Sequence, residues 1–171
     1  MFRLNLPSGG FPRRAILASI YDSDNYEPSR SVAHLLGQVR TELLAALDRE
    51  LTADRHVADI GVTAAQFIVI ARLAGADRKK SASDLCKEMS YDAGAMTRMI
   101  DRLESKGLIR RMRCPQDRRL VYLEITEQGR EAYPRLREIS MGIQNRFLRG
   151  FSRTDTRQLE SLLARMLENA A

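Results

Sequence analysis

The sequence has no tryptophan, two cysteines, two histidines and five prolines in 171 residues. The cysteines, Cys86 and Cys114, form no CxxC pair, and the histidines, His34 and His56, stand apart from them. A structural zinc site needs about four such ligands, so no metal is expected. No apolar run approaches the roughly 18 residues of a membrane-spanning helix. The apolar stretch after Arg13-Arg14, residues 15–20, is too short for a secretory core. A cytoplasmic protein without a membrane partner is therefore expected. A glycine-rich phosphate loop is missing, as is any nucleophile–base pair at a telling spacing, and no pair of carboxylates is singled out. The chain reads as a non-enzyme without a cofactor.

What is present is the balance of a folded protein: 44% hydrophobic and 29% charged residues, with a net charge of +6. A basic balance points to an anionic partner and leaves open whether that is nucleic acid or a membrane surface.

Residues 1–27 mix Pro7, Gly9, Gly10 and Pro12 with polar residues. Two readings fit them, a loose tail and an arm that wraps a partner subunit. In residues 29–51 the apolar positions Val32, Leu35, Leu36, Val39, Leu43, Leu47 and Leu51 recur at helical steps. A polar linker is expected over 52–61. Thr63 and Gln66 then have the spacing of a capping box, ahead of an apolar second helix that Gly75 closes. Ser81 and Asp84 open a short third helix, and Asp92 caps a fourth over 93–106, closed by Gly107. Residues 108–113 and 120–125, rich in β-branched residues, flank the turn-forming Cys114-Pro115-Gln116-Asp117 and predict a hairpin. Thr126 caps a long helix in which Pro134 either makes a kink or marks a later start. Beyond Gly150, Ser152 and Asp155 open a last amphipathic helix.

On the fourth helix Met96, Met99, Ile100 and Leu103 form one buried stripe, and Gly94, Thr97, Arg98, Asp101, Arg102 and Ser105 form the opposite face. A helix anchored on one side and polar on the other fits a DNA major groove about 12 Å wide. Its N-terminal residues, Tyr91, Asp92, Ala93, Gly94, Ala95, Thr97 and Arg98, are those placed to reach base edges. Between positions 98 and 119 stand eight Lys or Arg (Arg98, Arg102, Lys106, Arg110, Arg111, Arg113, Arg118, Arg119) against three acids, a local +5. Most charge runs are solvated faces. This one covers a helix face, two strands and a hairpin tip together, the clustering of a nucleic-acid footprint. Asp117-Arg118-Arg119 at the tip suits an arginine inserted in a minor groove, with Asp117 orienting Arg119 or another arginine. A surface ion pair worth under about 1 kcal/mol is the plainer reading.

The segments Ala95-Met-Thr-Arg-Met-Ile-Asp-Arg-Leu-Glu-Ser-Lys-Gly-Leu-Ile109 and Asp117-Arg-Arg-Leu-Val-Tyr-Leu-Glu-Ile-Thr126 resemble the recognition helix and wing of the MarR family of regulators. The resemblance runs roughly from Val32 to Leu167. It implies a mainly α fold with a small β-hairpin wing, a winged helix-turn-helix carried on helical dimerisation arms. The expected division is an N-terminal arm (1–28), a first helix and linker for dimerisation (29–62), the winged helix-turn-helix (63–126) and C-terminal dimerisation helices (127–171). The implied function is a sequence-specific repressor, binding a pseudo-palindromic double-stranded operator as a homodimer. Arg98, Arg102, Arg113, Asp117, Arg118 and Arg119 are the expected charged contacts.

The resemblance also implies release by a small aromatic acid in a cleft for which His34, Gln38, Arg40 and Phe67 are candidates. Phe67 reads equally as core, and His34 as a half-exposed helix residue. Thiol sensing through Cys114, among Arg111, Arg113 and Arg118, is an alternative. Non-specific coating of DNA is another.

Overall fold

A computed structural model describes residues 19–170 apart from positions 78, 116, 118 and 119. The described residues fall into two compact units, one ending at Gln38 and the other starting at Val39.

In the first unit, residues 19–31 fold onto themselves. Asp22 Oδ1 accepts the backbone N–H groups of Asp24 and Asn25, at 2.9 and 3.0 Å. The Tyr21 and Tyr26 rings meet edge to face at 5.2 Å, and the Tyr21 hydroxyl accepts the Val32 N–H. Ser31 Oγ accepts the His34 N–H, so helix α1 (Val32–Ala53) starts on a hydroxyl cap. Its first turns are exposed, Val32, Leu35 and Leu36 included.

The second unit takes in the rest of α1, then α2 (Ala64–Ala74), β1 (Lys80–Ser81), α3 (Ala82–Met89), α4 (Ala93–Ser105), β2 (Ile109–Arg113), β3 (Val121–Ile125), α5 (Glu127–Phe147) and α6 (Arg153–Glu168). Each helix from α2 onward starts where a short polar side chain satisfies free N–H groups. Thr63 with Gln66, Ser81 with Asp84 and Ser152 with Asp155 form reciprocal boxes, while Asp92 and Thr126 accept from the third residue of α4 and α5.

The sheet is antiparallel in the order β1-β3-β2. The hairpin is as expected from the sequence. Strand β1 is an addition: two residues too short to show a period, one of which, Ser81, also caps α3. The expected linker over 52–61 contains a turn of 3-10 helix, Ala58–Ile60, next to the buried Val57. Pro134 lies inside a continuous α5, so the helix neither stops nor restarts there. Its ring is on the solvent side, where the carbonyl deprived of a donor can bond to water.

The core gathers Leu47 and Leu51 of α1, Val69 and Ile70 of α2, Leu85 of α3, the four-residue stripe of α4, Leu108, Ile125 and Leu136. Burying each such side chain contributes about 1.5–3 kcal/mol. The tightest approach is at Gly129: a Cβ there would stand 2.2 Å from the Leu108 carbonyl oxygen and 2.8 Å from Ile125 Cγ1. Only a residue without a side chain lets α5 start this close to the turn after α4. Farther along, Arg135 donates through Nε at 3.0 Å and Nη2 at 2.5 Å to Asp54 Oδ2, tying α5 to the residue after α1. The Arg135 guanidinium holds the Asp54 carboxyl below its ordinary value. Burial opposes this, and the His56 N–H assists.

Gly129→Ala is expected to lower stability by about 3 kcal/mol, on the order of 10 °C in Tm, because backbone must move; an unchanged melting curve would refute the close approach. Since the folded pKa of Asp54 is depressed, its stabilisation is complete above the unfolded value near 4 and is lost as the pH falls through the folded one. Asp54→Asn is therefore expected to melt below the parent at pH 7, with the gap closing as the pH drops below about 4. A gap that stays constant with pH contradicts the assignment.

Candidate nucleic-acid interface

Helices α3 and α4 are joined by only Ser90, Tyr91 and Asp92. The turn is tight because Ser90 takes a left-handed conformation, φ 51°, and the Cys86 carbonyl accepts the N–H groups of both Ser90 and Tyr91. A left-handed non-glycine residue costs about 1–2 kcal/mol, which the packing of the two helices must offset. Tyr91 is half-buried against the core, and Asp92 Oδ1 accepts the Ala95 N–H at 2.9 Å.

The two faces of α4 separate cleanly. Met96, Ile100 and Leu103 are at most 1% exposed and Met99 is 6% exposed. Asp92, Ala93, Gly94, Thr97, Arg98 and Arg102 are exposed, and Ala95 is half-buried at the boundary. Thr97 Oγ1 donates to the Ala93 carbonyl at 2.8 Å, which turns its methyl and lone pairs outward. At Gly94 a Cβ would stand 3.1 Å from Asp92 Oδ1, tighter than ordinary contact, and 3.5 Å from Arg98 Nη1, so a side chain there would press on the cap. The result is a low, nearly bare helix start with one cationic side chain beside it.

The basic run is sorted by the fold rather than displayed whole. Arg111 on β2 reaches Asp101 at 2.6 Å and also Glu104, both on α4, while its N–H donates to Glu104 Oε1 at 3.0 Å. The Asp101 carboxylate raises the Arg111 pKa against the effect of burial, and Glu104 adds to it. Arg110 pairs at 2.6 Å with Glu124, its cross-strand partner, and holds the Glu124 carboxyl below its ordinary value. Lys106 turns inward, to the Gly61 carbonyl and Gln66 Oε1. Arg98, Arg102 and Arg113 are exposed and have no ion-pair partner among the described residues. The acids of α4 are thus neutralised from behind, and the free cations lie along the helix and at the end of β2. Asp117 is exposed at the hairpin tip, where its carbonyl accepts the Leu120 N–H at 3.0 Å. Arg118 and Arg119, and with them the expected Asp117–Arg119 pair, lie outside the described residues.

Of the four residues expected at an effector cleft, Phe67 lines a cavity in the second unit. The cavity holds about 380 Å³ between α1, α2 and α5 and is walled by Leu43, Leu44, Leu47, Ile68, Ala71, Ile143 and the arginine Arg72, among others. Phe67 is 7% exposed and stacks on Tyr133 at 6.4 Å, so it is a core residue and cavity wall at once. Arg40 is exposed and absent from this lining, and His34 and Gln38, exposed on α1, belong to the other unit. Arg72 was missed by sequence reasoning. Its signal was a charge, four positions after Ile68, on an otherwise uncharged helix. Cys114, the residue of the thiol-sensing alternative, is 8% exposed, and Arg111 is engaged by Asp101 and Glu104. Among the described residues no helix is long and apolar enough to cross a membrane.

This geometry agrees with what the chain is similar to. The MarR family model matches residues 62–121, which hold the helix pair and most of the hairpin. An uncharacterized HTH-type transcriptional regulator, YdgJ of Bacillus subtilis, is 34% identical over 109 residues, 64% of this chain and 66% of that protein, just under two thirds of its length. A mutant MarR from Escherichia coli, solved in complex with operator DNA, is 28% identical and superposes with a TM-score of 0.68, covering 79% of this chain and 92% of that one. BpsR of Bordetella bronchiseptica, solved to explain regulation of its DNA binding by 6-hydroxynicotinic acid, is 25% identical, with a TM-score of 0.70 over 82% of this chain and 96% of that one.

Replacing Arg98 with alanine is expected to weaken binding to the chain's preferred duplex by about 1–3 kcal/mol and to relax base preference at one position of each half-site. The check is a titration of labelled duplex; affinity kept within twofold would mean that this side chain reads nothing.

Proposed function

We propose that the chain is a member of the MarR family of winged-helix transcription regulators, whose model matches residues 62–121, and that it is a repressor that binds a pseudo-palindromic operator as a homodimer and is released by a small aromatic acid. The observation that carries the reading is the two-faced α4: a stripe sealed in the core and, opposite it, an exposed start made of Ala93, Gly94, Thr97 and Arg98. Such a helix enters a major groove without unfolding anything. Arg102 and Arg113 stand ready for phosphates, and Asp117, Arg118 and Arg119 are assigned to the wing tip and the neighbouring minor groove. Tyr91, Asp92 and Ala95 hold the start of the helix.

A second copy of the chain is supported by apolar surface that the described residues leave uncovered. Helix α6 has no buried residue, yet Leu159, Leu162, Met166 and Leu167 are 39–74% exposed. On α1, Val32, Leu35, Leu36 and Val39 form another exposed row. Patches of this kind mark protein–protein contacts. We assign 1–28 as an arm, 29–62 and 127–171 to dimerisation and 63–126 to DNA. Two-fold symmetry then sets half-site centres about 10–10.5 bp apart.

The cavity beside Phe67 is of a size and apolar character that suit one aromatic ring, and Arg72 at its wall supplies a partner for a carboxylate. Regulation of DNA binding by 6-hydroxynicotinic acid is a property of BpsR; here an aromatic acid is read from the cavity itself.

Selection from a random duplex pool is expected to enrich an inverted repeat with that spacing, and a panel of aromatic acids is expected to release it. Ala71→Trp, which fills the cavity, should bind the repeat normally and ignore the acids. Equal affinity for selected and random duplexes would favour non-specific coating of DNA and refute the proposal.

A further inference from the structure

Lys106 stands in the middle of the basic run and reads from the sequence as one more phosphate contact. Its surroundings say otherwise. It is the C-cap residue of α4, and its side chain crosses to the start of α2, 40 or more positions earlier. There the ammonium donates to the Gly61 carbonyl and, at 2.9 Å, to Gln66 Oε1.

Gln66 is 3% exposed, and its one side-chain oxygen also accepts the Thr63 N–H at 3.2 Å. Both lone pairs of that oxygen are therefore in use, one closing the capping box of α2 and one holding Lys106. Gly61 is left-handed at φ 62° and a Cβ there would lie 3.8 Å from Nζ, so the carbonyl is presented at close range. The Asp48 carboxylate on α1 accepts the Ala64 N–H at 2.6 Å, which fixes the same helix start from the other side. Burial lowers the Lys106 pKa, and the nearby charge of Arg102 adds to this, as expected of an ammonium turned from solvent.

We infer that Lys106 is a positioning residue that clamps the end of the recognition helix to the capped start of α2, setting the angle at which Ala93 to Arg98 meet base edges, and that it does not bind a DNA phosphate. The inference rests on α4 being the recognition helix. Its physical basis is leverage. The buried stripe fixes how deep α4 sits, but two of its four residues, Met96 and Met99, are flexible and tolerate small rotations. A charged hydrogen bond at the far end of the helix removes that freedom, and a small error of angle there displaces the first turn, more than ten residues away, where base contacts need correct direction as well as distance.

The test uses the full-length chain with Lys106→Met, Lys106→Arg and Arg98→Ala, titrated against the selected inverted repeat and a random duplex across salt concentrations. Lys106→Met is expected to lose about tenfold on the repeat, to bind random duplex within twofold of the parent, and to keep the parent's slope of log K against log salt. Lys106→Arg, which keeps a donor at the clamp, should recover most of the repeat affinity. A phosphate contact would give a different result: comparable losses on both duplexes and a slope shallower by about 1 for each protomer. That overturns the inference. So does a loss on both duplexes with an unchanged slope and lowered Tm, which marks a purely structural residue, and so does an unchanged preference for the repeat. If Arg98→Ala also leaves the repeat affinity intact, the recognition-helix reading itself fails; if only the lysine variants are silent, the clamp alone fails.

Discussion

The carbonyl of Leu108 is the point at which α4, the hairpin and α5 are joined. Leu108 is fully buried; its N–H closes the end of α4 on the Leu103 carbonyl, and its own carbonyl accepts the Thr126 N–H at 3.1 Å. Gly107, left-handed at φ 69°, turns the chain so that its carbonyl receives the Thr126 hydroxyl. Gly129 then lies directly against the Leu108 oxygen. The end of α4, the residue before β2 and the first turn of α5 are thereby one rigid corner. A shift of any of them would break a buried backbone hydrogen bond, which costs about 1–3 kcal/mol for each group left unpaired.

Around that corner the charges are distributed by task. Arg111 spends its guanidinium on Asp101 and Glu104, which would otherwise face a polyanion. Arg110 stiffens the hairpin through Glu124. The cations left for a partner are fewer than a tally along the chain suggests, but they are better placed. On the proposed reading, this division puts phosphate attraction and helix placement on different side chains, so that the two can be separated experimentally.

Much of this was legible in the sequence, and the reasons are local. Thr63 with Gln66, Ser81 with Asp84, Asp92, Thr126 and Ser152 with Asp155 are caps whose partners lie three residues away, so their spacing alone reveals them. The stripe of Met96, Met99, Ile100 and Leu103 follows from helical periodicity. What was not legible depends on distant partners. Nothing near Lys106 in sequence indicates that it meets Gly61 and Gln66, and nothing near Arg111 distinguishes it from Arg113, which stays exposed. Strand β1 exists only because β3 is beside it. The cavity needs three helices to close it, so Arg72 could be placed there only once α1 and α5 were in position.

The clean separation of α4 into an interior and an exterior row also bears on how such a protein changes over generations. Outward positions such as Ala93 and Thr97 carry little of the folding energy, since their side chains are small and exposed. On the proposed reading, mutations there would change which duplex is preferred while the scaffold tolerates them, whereas the inward row is held constant by packing. A lineage built on this helix can diversify its targets quickly without first acquiring spare stability.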